Sequence, residues 1–387
     1  VKLPNFEQSL SALVELSSIS STNACWDQTN KPVIDLLANW FDYLGFSVDI
    51  SLVPDSRNKY NILAKLGSGE GGLLLAGHSD TVPYDESGWL SDPFSIKQKD
   101  GRFYGLGTCD MKGFFACIMQ VCRNLSVTDL TKPLYVLVTA DEETSMAGAR
   151  FFSKSQTIRP DVAVIGEPTE LTPVIMHKGH MSHRITVLGK SGHSSQPAGG
   201  VNAIEIMHHI ISKLLKLKRQ LALNYSNQAF DVQEPTLNFG AIRGGDSPNR
   251  VCGHCELDID LRALPGMKDE ELLYWLSESS KDIANQYVGR IKFDEIDPSA
   301  PSFEQNKDSD VVLFTEKLSG HNCCAVNYAT EAPFIQKLSG QTIVFGPGSI
   351  SQAHQPNEFL AEDQISKTLN ILTQMIQRYC ITINDKT

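Results

Sequence analysis

The sequence predicts an α/β fold: a mostly parallel sheet sandwiched by helices, interrupted by a smaller α+β unit of ferredoxin-like order. Three observations predict it. Continuous apolar runs at 73–76, 134–139 and 162–165 read as strands covered on both faces, as the central strands of a parallel sheet are. Stretches with helical spacing of apolar residues alternate with those runs, which is the pattern of βα units. After about residue 178 the order becomes strand–helix–strand–strand–helix–strand, the split unit of ferredoxin-like domains, and the α/β pattern resumes after about residue 297.

Each element has its own signal. Residues 5–16 and 32–44 space their apolar groups as helices do, and Gly45 is placed to cap the second. Residues 46–53 and 60–66 have strand composition, and the glycine-rich stretch 67–72 is a turn into the 73–76 run. A helix over 111–125, the strand 134–139, a helix over 144–155 and the strand 162–165 follow. In the inserted unit, strands are expected at 184–188, 236–242, 255–263 and 290–296, with a long basic amphipathic helix over 201–222 and a second helix over 268–286. A helix at 309–319, a strand at 342–345 and a closing helix at 362–380 complete the pattern. The expected domains are therefore 1–178 and 298–387 as two parts of one, with 179–297 inserted between them. There is no internal repeat and no low-complexity segment.

At 387 residues the chain is too long for one simple core, which agrees with two domains. A hydrophobic content of 41% and a charged content of 20% fit a soluble globular protein. The net charge of -11 argues against nucleic-acid and anionic-membrane partners. No apolar run approaches transmembrane length. The stretch Val1-Lys2-Leu3-Pro4-Asn5-Phe6 lacks the apolar core of a signal peptide, so a cytoplasmic location is expected. Nine scattered cysteines, an odd number mostly in apolar contexts such as Cys117 and Cys122, read as buried thiols. Cys252-Gly253-His254-Cys255 has zinc-knuckle spacing but lacks a second pair, and it runs into the alternating 257–261, so it reads as a strand.

Chemistry concentrates in short segments after the apolar runs. Gly77-His78-Ser79-Asp80, Gly107-Thr108-Cys109-Asp110 and Asp141-Glu142-Glu143 end in metal-binding groups, and Glu167 and His354 follow later strands. Singly, each has an ordinary reading. His78 could be a strand-end histidine, Asp110 a helix N-cap and Glu142–Glu143 a solvated acidic turn. Together they give two imidazoles and three carboxylates at successive strand ends, with one carboxylate to spare. That inventory suits two zinc ions, one bridging carboxylate and a glutamate base. Asp80, two residues from His78, is placed to accept a hydrogen bond from a ligating imidazole. His193, in Gly192-His193-Ser194, lies in the inserted unit and suits an oxyanion stabiliser brought by closure or by a neighbouring subunit. Asn249, Arg250 and Arg262 are the polar groups there suited to a carboxylate ligand. His177, His180, His183, His208, His209, His254 and His321 read as structural.

These motifs, with Gly105-Leu106-Gly107-Thr108-Cys109-Asp110-Met111-Lys112-Gly113 and Gly166-Glu167-Pro168, make the chain resemble the co-catalytic zinc aminoacylase/carboxypeptidase family over essentially its whole length. The resemblance implies a zinc-peptidase-like catalytic domain with an inserted lid and dimerisation domain, and a homodimer. It implies two Zn2+ per subunit, with Co2+ able to substitute. His78 and Glu167 would hold one ion, Glu143 and His354 the other, and Asp110 would bridge. Glu142 would be the general base, Asp80 would orient His78, and His193 would reach the partner subunit's site. The Asp110–Met111 peptide would be cis. Cys109 stands where the family usually has Gly or Ala. The segments 327–332 and 346–358 look most like family members that deacetylate N-acetyl-L-ornithine in arginine biosynthesis. That implies a small N-acyl amino acid as substrate, its carboxylate on Arg262 with Asn249 or Arg250, and local charge offers Glu331 for its ammonium. A desuccinylase acting on succinyl-diaminopimelate, a general N-acyl amino acid amidohydrolase, a carboxypeptidase and a non-catalytic protein retaining the fold are the alternative readings.

Overall fold

The strands Leu73–His78 and Leu134–Thr139 are buried along their whole length, which is why their sequences are continuous apolar runs rather than alternations. A computed structural model describes residues 3–381. In it these two strands pair in parallel, from Leu73 opposite Leu134 to His78 opposite Thr139. Val162–Ile165 pairs in parallel with Leu73–His78 on the other side, and Gln341–Val344 pairs in parallel with Val162–Ile165. Antiparallel strands Tyr60–Leu66 and Ser47–Leu52 extend the sheet beyond Leu134–Thr139. Four central strands therefore run the same way, and their carboxyl ends, where ligands gather in open α/β sheets, lie along one edge.

Helices cover this sheet. Lys112–Cys122 packs against Leu73–His78, against Phe6–Glu15 and against Glu362–Cys380, while Lys31–Tyr43 and Ala147–Ser155 pack against Tyr60–Leu66. Nine of the eleven residues of Lys112–Cys122 are buried, so it behaves as a core helix with no polar face. A small antiparallel sheet of Lys97–Lys99, Arg102–Tyr104 and Phe359–Ala361 was not expected from sequence. Its strands are three residues long, and Lys97–Lys99 is polar throughout, so no periodicity announces them.

The chain divides into two compact units. One gathers Val1–Ile175, Gln305–Cys324 and Thr330–Thr387; the other gathers Met176–Glu304 and Ala325–Ala329. The second unit reaches beyond 179–297 because Ile291–Ala300 runs on past the expected end of its strand and Phe303 pairs with His177. Its sheet has the order Thr236–Gly244, His254–Arg262, His180–Leu188, Ile291–Ala300, antiparallel throughout, which is the ferredoxin-like order. His180–Leu188 alternates buried and half-buried residues, and its buried face meets Ile206, Met207, Ile210 and Leu214 of helix Ala203–Asn224 in one apolar core. The helix expected over 268–286 is two, Asp269–Ser279 and Lys281–Gln286. The hydroxyls of Ser279 and Ser280 both donate to the Leu276 carbonyl, so side chains occupy an acceptor near the end of the first helix. All nine cysteines are free. Among the described residues no helix is long and apolar enough to cross a membrane.

Candidate metal centre

Three of the parallel strands deliver acids and imidazoles directly. His78 ends its strand; Asp141-Glu142-Glu143 follow Thr139; Glu167 follows Ile165 by two residues. Two glycines make this possible by close approach. A Cβ on Gly77 would lie 2.2 Å from Met111 Cε, and one on Gly166 would lie 2.0 Å from Phe114 Cδ1. The glycines beside His78 and Glu167 are thus set by helix packing beneath the site. Asp110 sits before helix Lys112–Cys122, and its peptide bond to Met111 is cis. His354 comes from the loop after Gln341–Val344 and adopts φ 61°, an uncommon left-handed conformation for a side chain of this size.

The structure brings the five expected ligands and the expected base together. His78 Nε2 lies 3.0 Å from Asp110 Oδ1 and 4.0 Å from Glu167 Oε1. His354 Nε2 lies 3.0 Å from Glu143 Oε2 and 3.5 Å from Asp110 Oδ2. Asp110 thus presents one oxygen to each imidazole. Ligand atoms of His78, Asp110 and Glu143 all fall within 4.8 Å of one another. Glu142 is close enough to Glu167 and Glu143 for their charges to raise its pKa.

The role expected of the Asp80 carboxylate is corrected. His78 Nδ1 is 2.9 Å from the Asp80 main-chain oxygen, whereas the nearest carboxylate oxygen is 3.7 Å away. The carboxylate instead accepts the main-chain N–H groups of Glu142 at 3.3 Å and Glu143 at 3.2 Å. One residue therefore orients the imidazole with its backbone and holds the acidic turn with its side chain.

The electrostatics of the cluster suit a cation site. Burial, then the charges of Glu167 and Glu143, push the Glu142 carboxyl well above the usual range. Burial and Asp110 do the same to Glu167. Burial holds Asp80 up at about 6. Asp110 is moved the other way: burial would raise it, but the hydrogen bonds and charges of His354 and His78 outweigh burial. His354 is pushed up to about 10 by Asp110 and Glu143. His78 is raised too, because Asp110, Glu167 and Asp80 outweigh burial. Oε1 of Glu143 and Oε1 of Glu167 are buried with no hydrogen-bond partner. Buried polar atoms are rarely left unpaired. Carboxylate excess, unpaired acceptors and a mixed nitrogen–oxygen donor set fit divalent ions of the zinc type better than magnesium or calcium, which prefer oxygen alone.

Glu331 does not stand where a substrate ammonium could meet it. It has no accessible surface, and its Oε2 accepts the Thr139 hydroxyl at 2.8 Å. Burial raises its carboxyl to about 7, and its charge reaches Glu142 and Glu167. Its expected role as a direct substrate contact is therefore corrected: it lies packed among the site's own carboxylates.

The other predicted residues belong to the second unit. An antiparallel bridge joins His193 and Arg250, and Val251 N–H donates to Gly192 O at 2.9 Å. Asn249 O accepts the Ser194 N–H at 3.0 Å, so His193, Asn249 and Arg250 share one loop cluster. His193 Nδ1 accepts from Ser195 N–H at 3.2 Å and lies 2.7 Å from the Ser195 hydroxyl. An Nδ1 that accepts leaves the ring proton on exposed Nε2. Arg250 pairs with Asp246 at 2.6 Å. Arg262 is not in this cluster: it ends the strand His254–Arg262, roughly 26 Å along it from His254. There its Nε meets Asp260 at 3.0 Å, and Asp260 also meets His180 at 2.9 Å.

Three buried ionisable groups beside the cluster were not singled out from sequence. Lys59 Nζ lies 2.7 Å from Asp27 and 2.9 Å from Asp141. Lys112 is held down at about 7 by burial, and its Nζ donates to Leu16 O at 2.7 Å. Glu358 is raised to about 8 by burial and accepts three main-chain N–H groups from 107–110. The available signal was a lysine or glutamate inside a stretch otherwise read as apolar or as loop, and its partners are remote in sequence.

Comparison with known proteins agrees with this geometry. A family model described as peptidase family M20/M25/M40 matches residues 74–378. An acetylornithine deacetylase of Photorhabdus laumondii is 49% identical over 384 residues, covering 99% of this chain and 100% of that protein. An M20 family metallo-carboxypeptidase from Sulfolobus solfataricus superposes with a TM-score of 0.76 at 18% identity, covering 97% and 99% of the two chains. A dinuclear metal-binding peptidase of the M20 family from Bacillus subtilis gives 0.66 at 16% identity over 96% of each chain. These two structures show the shared fold.

Proposed function

We propose that this chain, which belongs to peptidase family M20/M25/M40 and is a hydrolase of that family, converts N-acetyl-L-ornithine to L-ornithine and acetate, the deacetylation step of arginine biosynthesis. The observation that carries the reading is 49% identity over nearly the whole chain to an acetylornithine deacetylase. His78 and Glu167 would hold one zinc ion, Glu143 and His354 a second, with Asp110 between them and Co2+ able to replace Zn2+. When bound, such ions polarise a carbonyl and bring the pKa of a water towards about 7.

The chain's own residues do the rest. Glu142 takes the proton of the attacking water and returns it to the leaving amine, a task suited to a carboxyl whose pKa burial has raised. The Nε2–H of His193 donates to the oxyanion that forms from the acetyl carbonyl. Asp80 keeps Glu142 and Glu143 in place through their main-chain N–H groups. Arg262, whose Nε is taken by Asp260, keeps its terminal nitrogens for the substrate carboxylate. Asn249 or Arg250, in the loop cluster of His193 and remote from Arg262 along the strand, would assist from the neighbouring subunit as His193 does. In our reading the protein is a cytoplasmic homodimer joined through the second unit, with His193 supplied to the neighbouring subunit.

The test is hydrolysis of N-acetyl-L-ornithine by zinc-reconstituted protein, beside N-succinyl-diaminopimelate and N-acetylmethionine. We expect turnover of acetylornithine above the other two, and a loss of about 10²–10⁴-fold in Glu142→Ala. Turnover confined to another substrate would overturn the substrate assignment. Full activity in Glu142→Ala would overturn the role of the base.

A further inference from the structure

Glu358 closes the loop that carries His354 and precedes the strand Phe359–Ala361. Its side chain is almost wholly buried. Oε2 accepts the Gly107 N–H at 2.9 Å, and Oε1 accepts those of Cys109 at 2.7 Å and Asp110 at 3.0 Å. Its main-chain carbonyl accepts the Gly105 N–H at 3.0 Å. Residues 105–111 form neither helix nor strand, so no ladder of main-chain bonds fixes the position of Asp110. Three main-chain N–H groups donating to one buried carboxyl group do so instead. Four residues before Glu358, His354 reaches Asp110 Oδ2 at 3.5 Å and Glu143 at 3.0 Å.

We infer that Glu358 is a positioning residue of the metal centre, fastening the loop that bears Asp110 to the loop that bears His354. The inference rests on reading the cluster as a metal site. Glutamine in its place would keep one acceptor oxygen but turn an amide NH2 towards a main-chain N–H. Asp110 and His354, contributed by segments more than two hundred residues apart in sequence, would then lose their common tether.

The experiment uses the full chain, stripped of metal and titrated with Zn2+ against a chromophoric chelator. Wild type should bind two ions. Glu358→Gln should bind at least one of them about 10–100-fold more weakly, the range seen when groups supporting metal ligands are removed. Excess zinc should restore its turnover, which a purely structural defect would not allow. Asp363→Asn, altered at an exposed position in the first turn of the next helix, should bind as wild type does. If Glu358→Gln does not fold, Glu358→Asp, which keeps both carboxyl oxygens and shortens the reach, is titrated in its place. A folded variant at position 358 that binds both ions within about twofold of wild type would overturn the inference. So would failure of both variants to fold even with zinc present, because Glu358 would then belong to the scaffold. Wild type that takes up no zinc would instead remove the metal reading itself, and the inference with it.

Discussion

Replacing Lys59 by methionine tests the link between the buried charges and the acidic turn. The ammonium is 1% exposed and lies between Asp27, 8% exposed, at 2.7 Å and Asp141, 13% exposed, at 2.9 Å. Methionine fills similar volume without charge and leaves two carboxylates uncompensated. Breaking a buried ion pair from one side costs about 3–5 kcal/mol. For a unit of this size that lowers the unfolding midpoint by roughly 6–20 °C. Burial alone would lower the Lys59 pKa, but its bonds to Asp27 and Asp141 outweigh burial and the net shift is upward. A lysine raised in the folded state contributes fully below the unfolded pKa and loses the contribution only as pH rises through the folded value. Assays near neutral pH therefore see the whole effect. Three of the four tryptophans, Trp26, Trp40 and Trp89, lie in the unit that contains Lys59, so fluorescence follows its unfolding. Adding Asp27→Asn to Lys59→Met should recover about 1–3 kcal/mol through the lost like-charge repulsion. Because Asp141 precedes Glu142 at φ 57°, kcat should fall while KM changes little. A loss below about 1 kcal/mol, the scale of an exposed pair, would refute the reasoning.

Two further outcomes follow from packing and burial. Gly166→Ala would set a Cβ 2.0 Å from Phe114, and overpacking of this kind costs about 1–3 kcal/mol or more, whereas Gly199→Ala meets nothing within 4 Å and should be neutral in thermal unfolding. His177, fully buried, is lowered by burial to about 4 from 6.5. The unfolded chain protonates it first, so the folded state loses about 3 kcal/mol as pH falls from 6.5 to 4. His177→Asn should remove that slope in a comparison of denaturation midpoints across this range, and an unchanged slope would count against the shift.

Much of this protein can be read from local sequence. The apolar runs 73–76, 134–139 and 162–165 announce buried parallel strands, because a strand covered on both faces has no solvent side on which to alternate. His78, Glu142, Glu143 and Glu167 stand just beyond such runs, where acids and imidazoles are hard to explain as packing. The second unit is legible for the complementary reason: one face of His180–Leu188 is buried and the other is not, so its sequence alternates.

Tertiary structure decided the rest. The split at Ser280 turns on which donor takes the Leu276 carbonyl, and the three-residue strands Lys97–Lys99 and Arg102–Tyr104 exist only because they pair with each other and with Phe359–Ala361. The oxygen of Asp80 that faces His78, and the burial of Glu331 beneath Thr139, depend on backbone geometry several elements away. Lys59 is a surface-type residue in sequence and becomes a buried cation through partners 32 and 82 positions distant. Glu358 acquires its function from amides about 250 residues upstream. Periodicity records how a segment divides between solvent and core, which is a property of that segment. Partnership between charges is settled by the summed free energy of remote elements, and no local window contains it.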